Sequence, residues 1–193
     1  RLVPQKGLDL VWEGRGALAA MDAAFVILGS GERRYEEMWC DLAEANPTRI
    51  GVRIGFDEGL AHLIEGGADL FLMPSRFEPC GLNQMYSMRY GTVPVVRATG
   101  GLDDTVRPFD PDTGAGTGFT FHEYRSSAML VALEAALALY ARPARWRALQ
   151  QAGMRQDFSW DASAAAYVHE YRKVIDRRRE ADGEGGGVNA CAM

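Results

Sequence analysis

Short, almost entirely apolar runs alternate along this chain with stretches of helical spacing. The strand-like runs lie at residues 23–31, 49–56, 69–75 and 92–101. The stretches with helical spacing between them lie at residues 33–46, 58–68 and 82–91. Strands that are apolar at nearly every position are buried on both faces, and strands that alternate with helices form parallel sheets. The sequence therefore predicts an α/β fold with a parallel sheet and helices on both faces.

Composition and charge narrow the possible partners. Hydrophobic residues make up 47% of the 193 residues, which is ample for the core of one domain. The formal net charge of −5 argues against a nucleic-acid or anionic-membrane surface, because such surfaces attract a basic face. No apolar stretch approaches the roughly 20 residues that span a bilayer, and residues 1–10 lack the apolar segment of a signal peptide. We expect a folded, soluble domain without nucleic-acid or membrane partners.

The residues that usually ligate metals do not form a promising cluster. The three cysteines are too few and too scattered for a disulfide framework or for the close pairs of a zinc site. The three histidines lie far from one another and from any cysteine pair. Asp110 and Asp112 form an Asp-x-Asp pattern, but Pro and Gly surround it, which favours a turn. The sequence predicts no metal site, and a reducing compartment.

The pattern changes after residue 122. We predict an α/β core at residues 1–122, followed by helices at residues 123–179 that pack on this core and toward a further domain. Residues 180–193 are polar and rich in glycine, so we expect them to be disordered.

The segment SRFEPCGLNQ, residues 75–84, follows the apolar run at 69–75 and leads into a predicted helix. Ligands of open α/β sheets bind beyond the carboxyl ends of the strands, and a helix N-terminus there favours phosphate. Gly81 allows the backbone to approach a ligand closely. Glu78 would repel a phosphate, whereas its carboxylate can accept hydrogen bonds from sugar hydroxyls. This segment indicates a ligand with a diphosphate at one end and a sugar at the other.

Three segments carry a family resemblance, at residues 1–10, 66–106 and 156–175. They closely resemble the C-terminal domain of glycogen and starch synthases, which are retaining glycosyltransferases of the GT-B type, and the match runs in register from Arg1 to about Arg177. The resemblance implies a Rossmann-like sheet with a helical C-terminal extension, an ADP-glucose donor, an α-1,4-glucan acceptor that grows at its non-reducing end, and no cofactor. Residues 107–121 resemble plant and algal soluble starch synthases, which favours a plastid over the bacterial cytoplasm.

Matched position by position, the resemblance implies roles for individual residues. Arg1 and Lys6 match the basic pair that holds the donor's pyrophosphate; spacing alone would favour a solvated arm. Glu78 matches the donor-site glutamate that holds glucose hydroxyls, and its alternative role is a carboxylate stabilised by a helix N-terminus. The backbone amides of Cys80, Gly81 and Leu82 are expected to contact glucose and phosphates.

Two further positions bear on the donor and the mechanism. Phe56 matches an aromatic residue that stacks on adenine, although an ordinary core phenylalanine is nearly as good an explanation. Many retaining GT-B enzymes have a second glutamate eight residues after the first, where this chain has Tyr86. A double displacement needs two carboxyl groups. The resemblance therefore implies front-face attack, with the leaving phosphate accepting the proton of the acceptor.

The resemblance also implies a missing part. A GT-B enzyme reacts in a cleft between two domains, and the N-terminal, acceptor-binding domain is not in this sequence. Arg1 stands where the first strand of the C-terminal domain should have ended, so we expect a fragment whose first strand is truncated. Two alternatives remain open: a non-catalytic fragment that binds a nucleotide sugar, and a retaining glycosyltransferase that uses UDP-glucose.

Overall fold

The computed structural model describes residues 1–184 of the chain. The strands are β1 (Phe25–Gly29), β2 (Ile50–Ile54), β3 (Leu70–Met73), β4 (Val93–Arg97) and β5 (Phe119–Phe121). A 3₁₀ turn at Pro4–Lys6 precedes the first helix. The helices are α1 (Leu8–Ala20), α2 (Arg33–Ala45), α3 (Glu58–Gly67), α4 (Asn83–Tyr90), α5 (Gly101–Thr105), α6 (Ser126–Tyr140), α7 (Pro143–Met154) and α8 (Trp160–Glu184).

All paired strands run parallel, as the apolar runs predicted. In one group β1 lies beside β2, with Phe25 opposite Ile50. In the other group the order is β3-β4-β5, with Leu70 opposite Val93 and Val95 opposite Phe119. The predicted parallel architecture is confirmed, but the described strands form these two groups instead of one continuous sheet. Within residues 1–184, β1 and β3 have no strand pairing with each other.

Helices cover both faces of strand β4. Successive side chains of a strand point to opposite faces. Val93 and Val95 belong to a core that includes residues of α1 and α6, whereas Val96 packs in a second core with Met88 of α4 and Leu102 of α5. The apolar character of consecutive strand residues is explained by these two cores, and the prediction of helices on both faces is confirmed.

The compact unit that contains the strands extends to Gln156. We expected the core to end at residue 122, but α6 and α7 belong to the same unit. Their apolar residues, including Leu133 and Trp146, are buried in the larger core. In this unit the helices therefore contribute to the core as much as the strands do.

The residues after Gln156 form a second unit, which contains helix α8. This helix is 25 residues long and extends to Glu184, so the first five residues of the segment that we expected to be disordered are helical. Glu180 and Ala181 are good helix formers, which accounts for the extension. The rest of the expected disordered tail, residues 185–193, lies outside the described residues.

The Asp-Pro-Asp segment forms a turn. The Asp110 carboxylate accepts hydrogen bonds from the Asp112 amide at 2.9 Å and from the Thr113 hydroxyl at 2.6 Å. The bond from the Thr113 side chain is the main cause that lowers the pKa of Asp110, and the Asp112 amide adds to it. The interpretation of this segment as a turn is confirmed. Residues 1–184 contain no group of three His, Cys, Asp or Glu side chains that could hold a metal ion.

No single helix among the described residues is long and apolar enough to cross a bilayer. Helices α6 and α7 together have the length and composition of a membrane span, but their axes are bent by 115° at the break between them.

Glu65 on α3 is buried without full hydrogen bonding. Its residue is 6% exposed, and its Oε2 atom has no partner among the described residues. Burial raises the pKa of this carboxyl, and the nearby His62 partly offsets the effect. The folded chain therefore holds this proton more tightly than the unfolded chain does.

We expect Glu65→Gln to stabilise the chain at neutral pH. Ionised Glu65 destabilises the fold above its raised pKa, and this penalty disappears below the ordinary carboxyl value of 4.5. Thermal unfolding of both proteins should therefore show a higher melting temperature for Glu65→Gln at pH 7 and equal values near pH 4. Glu134→Gln, at an exposed position of α6, is the control. An advantage that persists unchanged below pH 4.5 would contradict this explanation.

Candidate functional site

The loop after β3 carries a buried carboxylate that is paired with a lysine. Glu78 is 7% exposed, and its Oε2 atom lies 2.5 Å from Lys6 Nζ. The Ser75 hydroxyl donates to the same oxygen at 3.2 Å. The other oxygen, Oε1, accepts no hydrogen bond from the described residues and is not among their solvent-sealed polar atoms. One oxygen of Glu78 is therefore fixed, and the other is available to a ligand.

Arg1 lies beside this ion pair. Its backbone nitrogen is near enough to Lys6 and Glu78 for the charges of both side chains to act on it. Arg1, Lys6 and Ser75 also line one cavity. Lys6 is therefore in contact with Glu78, and Arg1 lines the same cavity as Lys6.

Backbone contacts fix the loop that carries Glu78. The Gln5 side chain donates to the Phe77 carbonyl at 3.0 Å, and the Gln5 carbonyl accepts from the Arg76 amide at 2.8 Å. On the other side, the Gly101 amide donates to the Glu78 carbonyl at 3.0 Å. A Cβ atom at Gly101 would lie 1.9 Å from the Cys80 carbonyl oxygen, so this approach requires glycine. The loop is held between the 3₁₀ turn and the start of α5.

A second set of polar contacts braces the same loop. Arg97, at the end of β4, donates to the Arg76 carbonyl at 2.8 Å and to the Ser75 carbonyl at 3.3 Å. The Arg76 side chain donates to Asp9 at 3.0 Å, and the Tyr124 hydroxyl donates to the other Asp9 oxygen at 2.5 Å. Burial is the main cause that raises the pKa of Tyr124, followed by its bond to Asp9. Because Asp9 lies on α1 just after Lys6, these contacts hold both sides of the Lys6–Glu78 pair.

Several backbone amides at the start of α4 donate no hydrogen bond to a described residue. Gln84 is fully buried, and its Nε2 atom lies 3.1 Å from the Cys80 carbonyl oxygen and 3.0 Å from that of Gly81. The carbonyl and N–H of a trans peptide point in opposite directions, and no described peptide bond is cis. The N–H groups of Gly81 and Leu82 therefore point away from Gln84. Among the described residues, neither group donates a hydrogen bond.

The conformation of this segment depends on Gly81, whose φ of +73° is favourable only for glycine. Leu82 caps α4, and the amides of Asn83 and Gln84 also donate to no described residue. The helix N-terminus adds a positive dipole end. Together these amides form a site that favours an anion, a few residues from Glu78 in the chain. The Cys80 side chain is exposed.

Phe56 follows β2 and is 89% exposed. The alternative that it is an ordinary core phenylalanine is therefore wrong. It makes no ring contact with another described residue.

The structure places Lys6 in contact with Glu78 and Arg1 on the same cavity as Lys6, and the amides near Gly81 follow Glu78 by a few residues in the chain. It shows no contact between these residues and Phe56. Sequence analysis did not identify Ser75, Gln84 or Arg97 as parts of the site. Ser75 and Arg97 stand at the carboxyl ends of strands, where ligands of open α/β sheets bind. The same argument that located Glu78 would therefore have identified them. No sequence signal marks Gln84, because its importance depends on the carbonyls that it contacts.

Comparison with known proteins identifies relatives of this chain. The chain is 57% identical over 174 residues to a glycogen synthase of Alkalilimnicola ehrlichii, a match that covers 90% of this chain and 36% of the relative. It is 51% identical over 174 residues to a glycogen synthase of Koribacter versatilis, with the same coverage. The chain therefore spans about a third of the length of the curated relatives that it matches.

Solved structures show the same fold. The catalytic domain of starch synthase IV from Arabidopsis thaliana, bound to ADP and acarbose, matches with a TM-score of 0.79 and 36% identity, over 91% of this chain and 37% of that chain. A sucrose-phosphate synthase from Thermosynechococcus elongatus matches with a TM-score of 0.66 and 23% identity, over 92% of this chain and 44% of that chain, which supports the fold alone. Residues 1–151 match the family described as "Glycosyl transferases group 1". This chain belongs to the group 1 glycosyl transferases.

Proposed function

We propose that this chain is the donor-binding part of a glycogen synthase, which transfers glucose from ADP-glucose to the non-reducing end of an α-1,4-glucan with retention of configuration. The observation that carries this proposal is the pairing of Lys6 with Glu78 beside the free amides of Gly81 and Leu82. The identity of 51–58% to glycogen synthases over most of the chain supports it.

The site offers positive and negative groups to different parts of a nucleotide sugar. Lys6 has three N–H donors, and among the described contacts only Glu78 uses one of them. The others can bind the diphosphate together with Arg1 and the amides of Gly81 and Leu82. Glu78 Oε1 can accept a hydrogen bond from a glucose hydroxyl, and the Glu78 charge can stabilise positive charge at the anomeric carbon.

We propose that transfer occurs by front-face attack. The bond between the anomeric carbon and the β-phosphate oxygen breaks, and ADP leaves with the electron pair. The acceptor hydroxyl oxygen forms the new bond, and its proton passes to that phosphate oxygen. Lys6 and Arg1 stabilise the charge that grows on the phosphate. The position eight residues after Glu78 is Tyr86, half exposed on α4, so it supplies no nucleophilic carboxylate for a double displacement.

We propose ADP as the nucleotide, with adenine stacked on Phe56. An aromatic ring that is 89% exposed at the end of β2 is suited to stacking on a base. The starch synthase IV structure, 36% identical to this chain, contains ADP.

We further propose that an N-terminal domain supplies the acceptor site. The relatives reported above are about two and a half times as long as this chain. Because the curated relatives reported above are bacterial, the comparisons do not support the plastid that residues 107–121 favoured. We propose the bacterial cytoplasm as the compartment.

One experiment separates the proposal from its two alternatives. Transfer of labelled glucose to glycogen is measured with ADP-glucose and with UDP-glucose, using this chain alone and joined to the N-terminal domain of the Alkalilimnicola ehrlichii relative. We expect transfer from ADP-glucose by the joined protein and none by the chain alone. Preference for UDP-glucose would overturn the donor assignment, and binding without transfer by the joined protein would favour a non-catalytic fragment.

We expect Lys6→Ala to weaken ADP binding by the isolated chain. Loss of a charge-assisted hydrogen bond costs roughly 1.5–3 kcal/mol, which corresponds to about 10- to 150-fold in Kd. Titration calorimetry measures the effect. Lys173→Ala is the matched control, because Lys173 pairs with Glu170 at 2.7 Å on α8. Equal ADP affinity of the wild type and Lys6→Ala would remove Lys6 from the site.

We expect Gln84→Met to weaken ADP binding by roughly tenfold, because the peptides that Gln84 orients would no longer be preorganised. Gln150→Met is the control, since Gln150 donates to the Gly91 carbonyl at 2.7 Å, at the opposite end of α4. Both variants lose hydrogen bonds to backbone carbonyls, so both test the stability of α4. Calorimetry should show weaker binding for Gln84→Met alone; an equal loss in both variants would indicate a general effect on the helix.

We expect Glu78→Gln to lower kcat of the joined protein on the order of 10²–10³-fold, with little change in KM for ADP-glucose. Ground-state glucose is neutral, whereas the transition state carries positive charge, so the carboxylate acts mainly on the latter. Glu37→Gln is the control, because Glu37 is paired with Arg33 at 2.6 Å on the surface of α2. Reduced thermal stability with near-normal kcat would show that the Lys6–Glu78 pair is structural.

A further inference from the structure

The side-chain amide of Gln84 is bonded unevenly. Its Nε2 atom lies 3.1 Å from the Cys80 carbonyl oxygen, 3.0 Å from that of Gly81 and 3.1 Å from the Thr105 hydroxyl oxygen. An amide nitrogen has two N–H groups, so two protons serve three acceptors. The Oε1 atom has no partner among the described residues, although Gln84 is fully buried. The fold therefore uses the nitrogen side of this amide and leaves its oxygen unpaired.

The Thr105 hydroxyl determines which end of the amide can face it. It donates to the Gly101 carbonyl at 2.5 Å. A hydroxyl has a single proton, so toward Gln84 the same oxygen can only accept. If the amide were rotated, Oε1 would face three oxygens without a proton between them. Thr105 and the two loop carbonyls thus select the same orientation of Gln84.

The bond between Gln84 and Thr105 differs from the other two bonds of this nitrogen. Cys80 and Gly81 lie within four residues of Gln84 in the chain, so those bonds stay within one local segment. Thr105 lies 21 residues away and is the last residue of α5. Its bond joins the first turn of α4 to a separate helix. Without it, the described bonds would let Gln84 and the loop move together.

Helix α5 is itself well anchored. Leu102 is fully buried and packs with Met88 of α4 and Val96 of β4. The Gly101 amide donates to the Glu78 carbonyl at 3.0 Å. The Thr105 hydroxyl therefore contacts two residues that hold the same loop at different points. Gly101 holds it at Glu78, and Gln84 holds it at Cys80 and Gly81.

A threonine hydroxyl in a helix often donates to the carbonyl four residues earlier. The bond from Thr105 to Gly101 alone would have this ordinary explanation. It does not explain why the same oxygen also accepts from a buried amide that orients a loop with free N–H groups. Together the two bonds connect the Glu78 side of the site to the Gly81 side.

We propose that Thr105 is a positioning residue of this site. Its hydroxyl fixes Gln84 and Gly101, and through them it sets the free amides of Gly81 and Leu82 relative to Glu78. Thr105 acts through these residues, and its hydroxyl is used by Gly101 and Gln84. The order of the loop follows from this contact alone, whereas its effect on ADP rests on the proposed function.

The first test uses this chain without ligand. Thr105→Val keeps the branched shape and removes the hydroxyl. We expect NMR to show hydrogen exchange faster on the order of tenfold for the Gln84 side-chain amide and the Gly101 backbone amide. The heteronuclear NOE of Gly81 and Leu82 should fall. Thr105→Ala should show the same changes, and Thr105→Ser should restore the wild-type values.

Thr117→Val is the matched control for this test. Thr117 is also buried, but its hydroxyl accepts from the Arg107 amide at 2.9 Å. This variant should leave Gln84, Gly101 and Gly81 unchanged. Unchanged exchange at Gln84 in Thr105→Val and Thr105→Ala would overturn the proposal, and so would equal changes in Thr117→Val. These outcomes do not depend on whether the chain binds ADP.

The second test measures ADP affinity by calorimetry. We expect Thr105→Val to weaken ADP binding roughly threefold to tenfold, because the amides are no longer preorganised, and Thr105→Ser to restore it. In the Gln84→Met background, Thr105→Val should cause little further loss, since both changes remove the same connection. Full additivity of the two losses would contradict action through Gln84. Absence of ADP binding by the wild type would overturn the proposed function, and the exchange measurements would still decide the role of Thr105.

Discussion

A buried carboxylate beside a lysine is the constraint on which this site depends. Glu78 is 7% exposed, and an ionised carboxylate in such a position is strongly destabilising without a partner. Its partner, Lys6, lies 72 residues earlier in the chain. The fold must therefore bring the 3₁₀ turn against the loop after β3. The Gln5 carbonyl accepts from the Arg76 amide and the Gln5 side chain donates to the Phe77 carbonyl, and these two contacts hold the turn against the loop.

This arrangement resolves the apparent conflict between Glu78 and an anion site. The carboxylate uses one oxygen for Lys6 and Ser75, which leaves the other free. The positive groups, namely the remaining Lys6 donors and the amides near Gly81, can then face a diphosphate while that oxygen faces a neutral group. A site for a diphosphate alone would be stronger without Glu78. The presence of Glu78 is therefore better explained by a ligand that also has hydroxyl groups, from which the free carboxylate oxygen can accept hydrogen bonds.

The elements that the sequence predicted are those with strong local patterns. The four apolar runs became β1 to β4, whereas β5 has only three residues, within a segment rich in glycine, and was not predicted. Helix α1 was missed as well, because Gly14 and Gly16 lower its intrinsic helix propensity. Its packing explains Gly14, where a Cβ atom would lie 2.5 Å from the Ser126 hydroxyl of α6. That reason depends on a helix more than a hundred residues away, so no local pattern could reveal it. Gln84 was missed for the same kind of reason, whereas Glu78 was marked by its place after a strand.

The segment from Arg1 to Gly7 connects the architecture to the site. Its first residues pair with the chain beyond β1, and its later residues contact the loop beyond β3. Gly7 is so close to Pro74 that a Cβ atom would lie 1.9 Å from the Pro74 carbonyl oxygen. Lys6 is therefore held by contacts with both groups of strands, and its distance from Glu78 depends on how those groups are spaced. Any interaction that fixes the spacing of β1 and β3 also fixes this distance. The stability of the sheet and the geometry of the anion site are in this way coupled through the same seven residues.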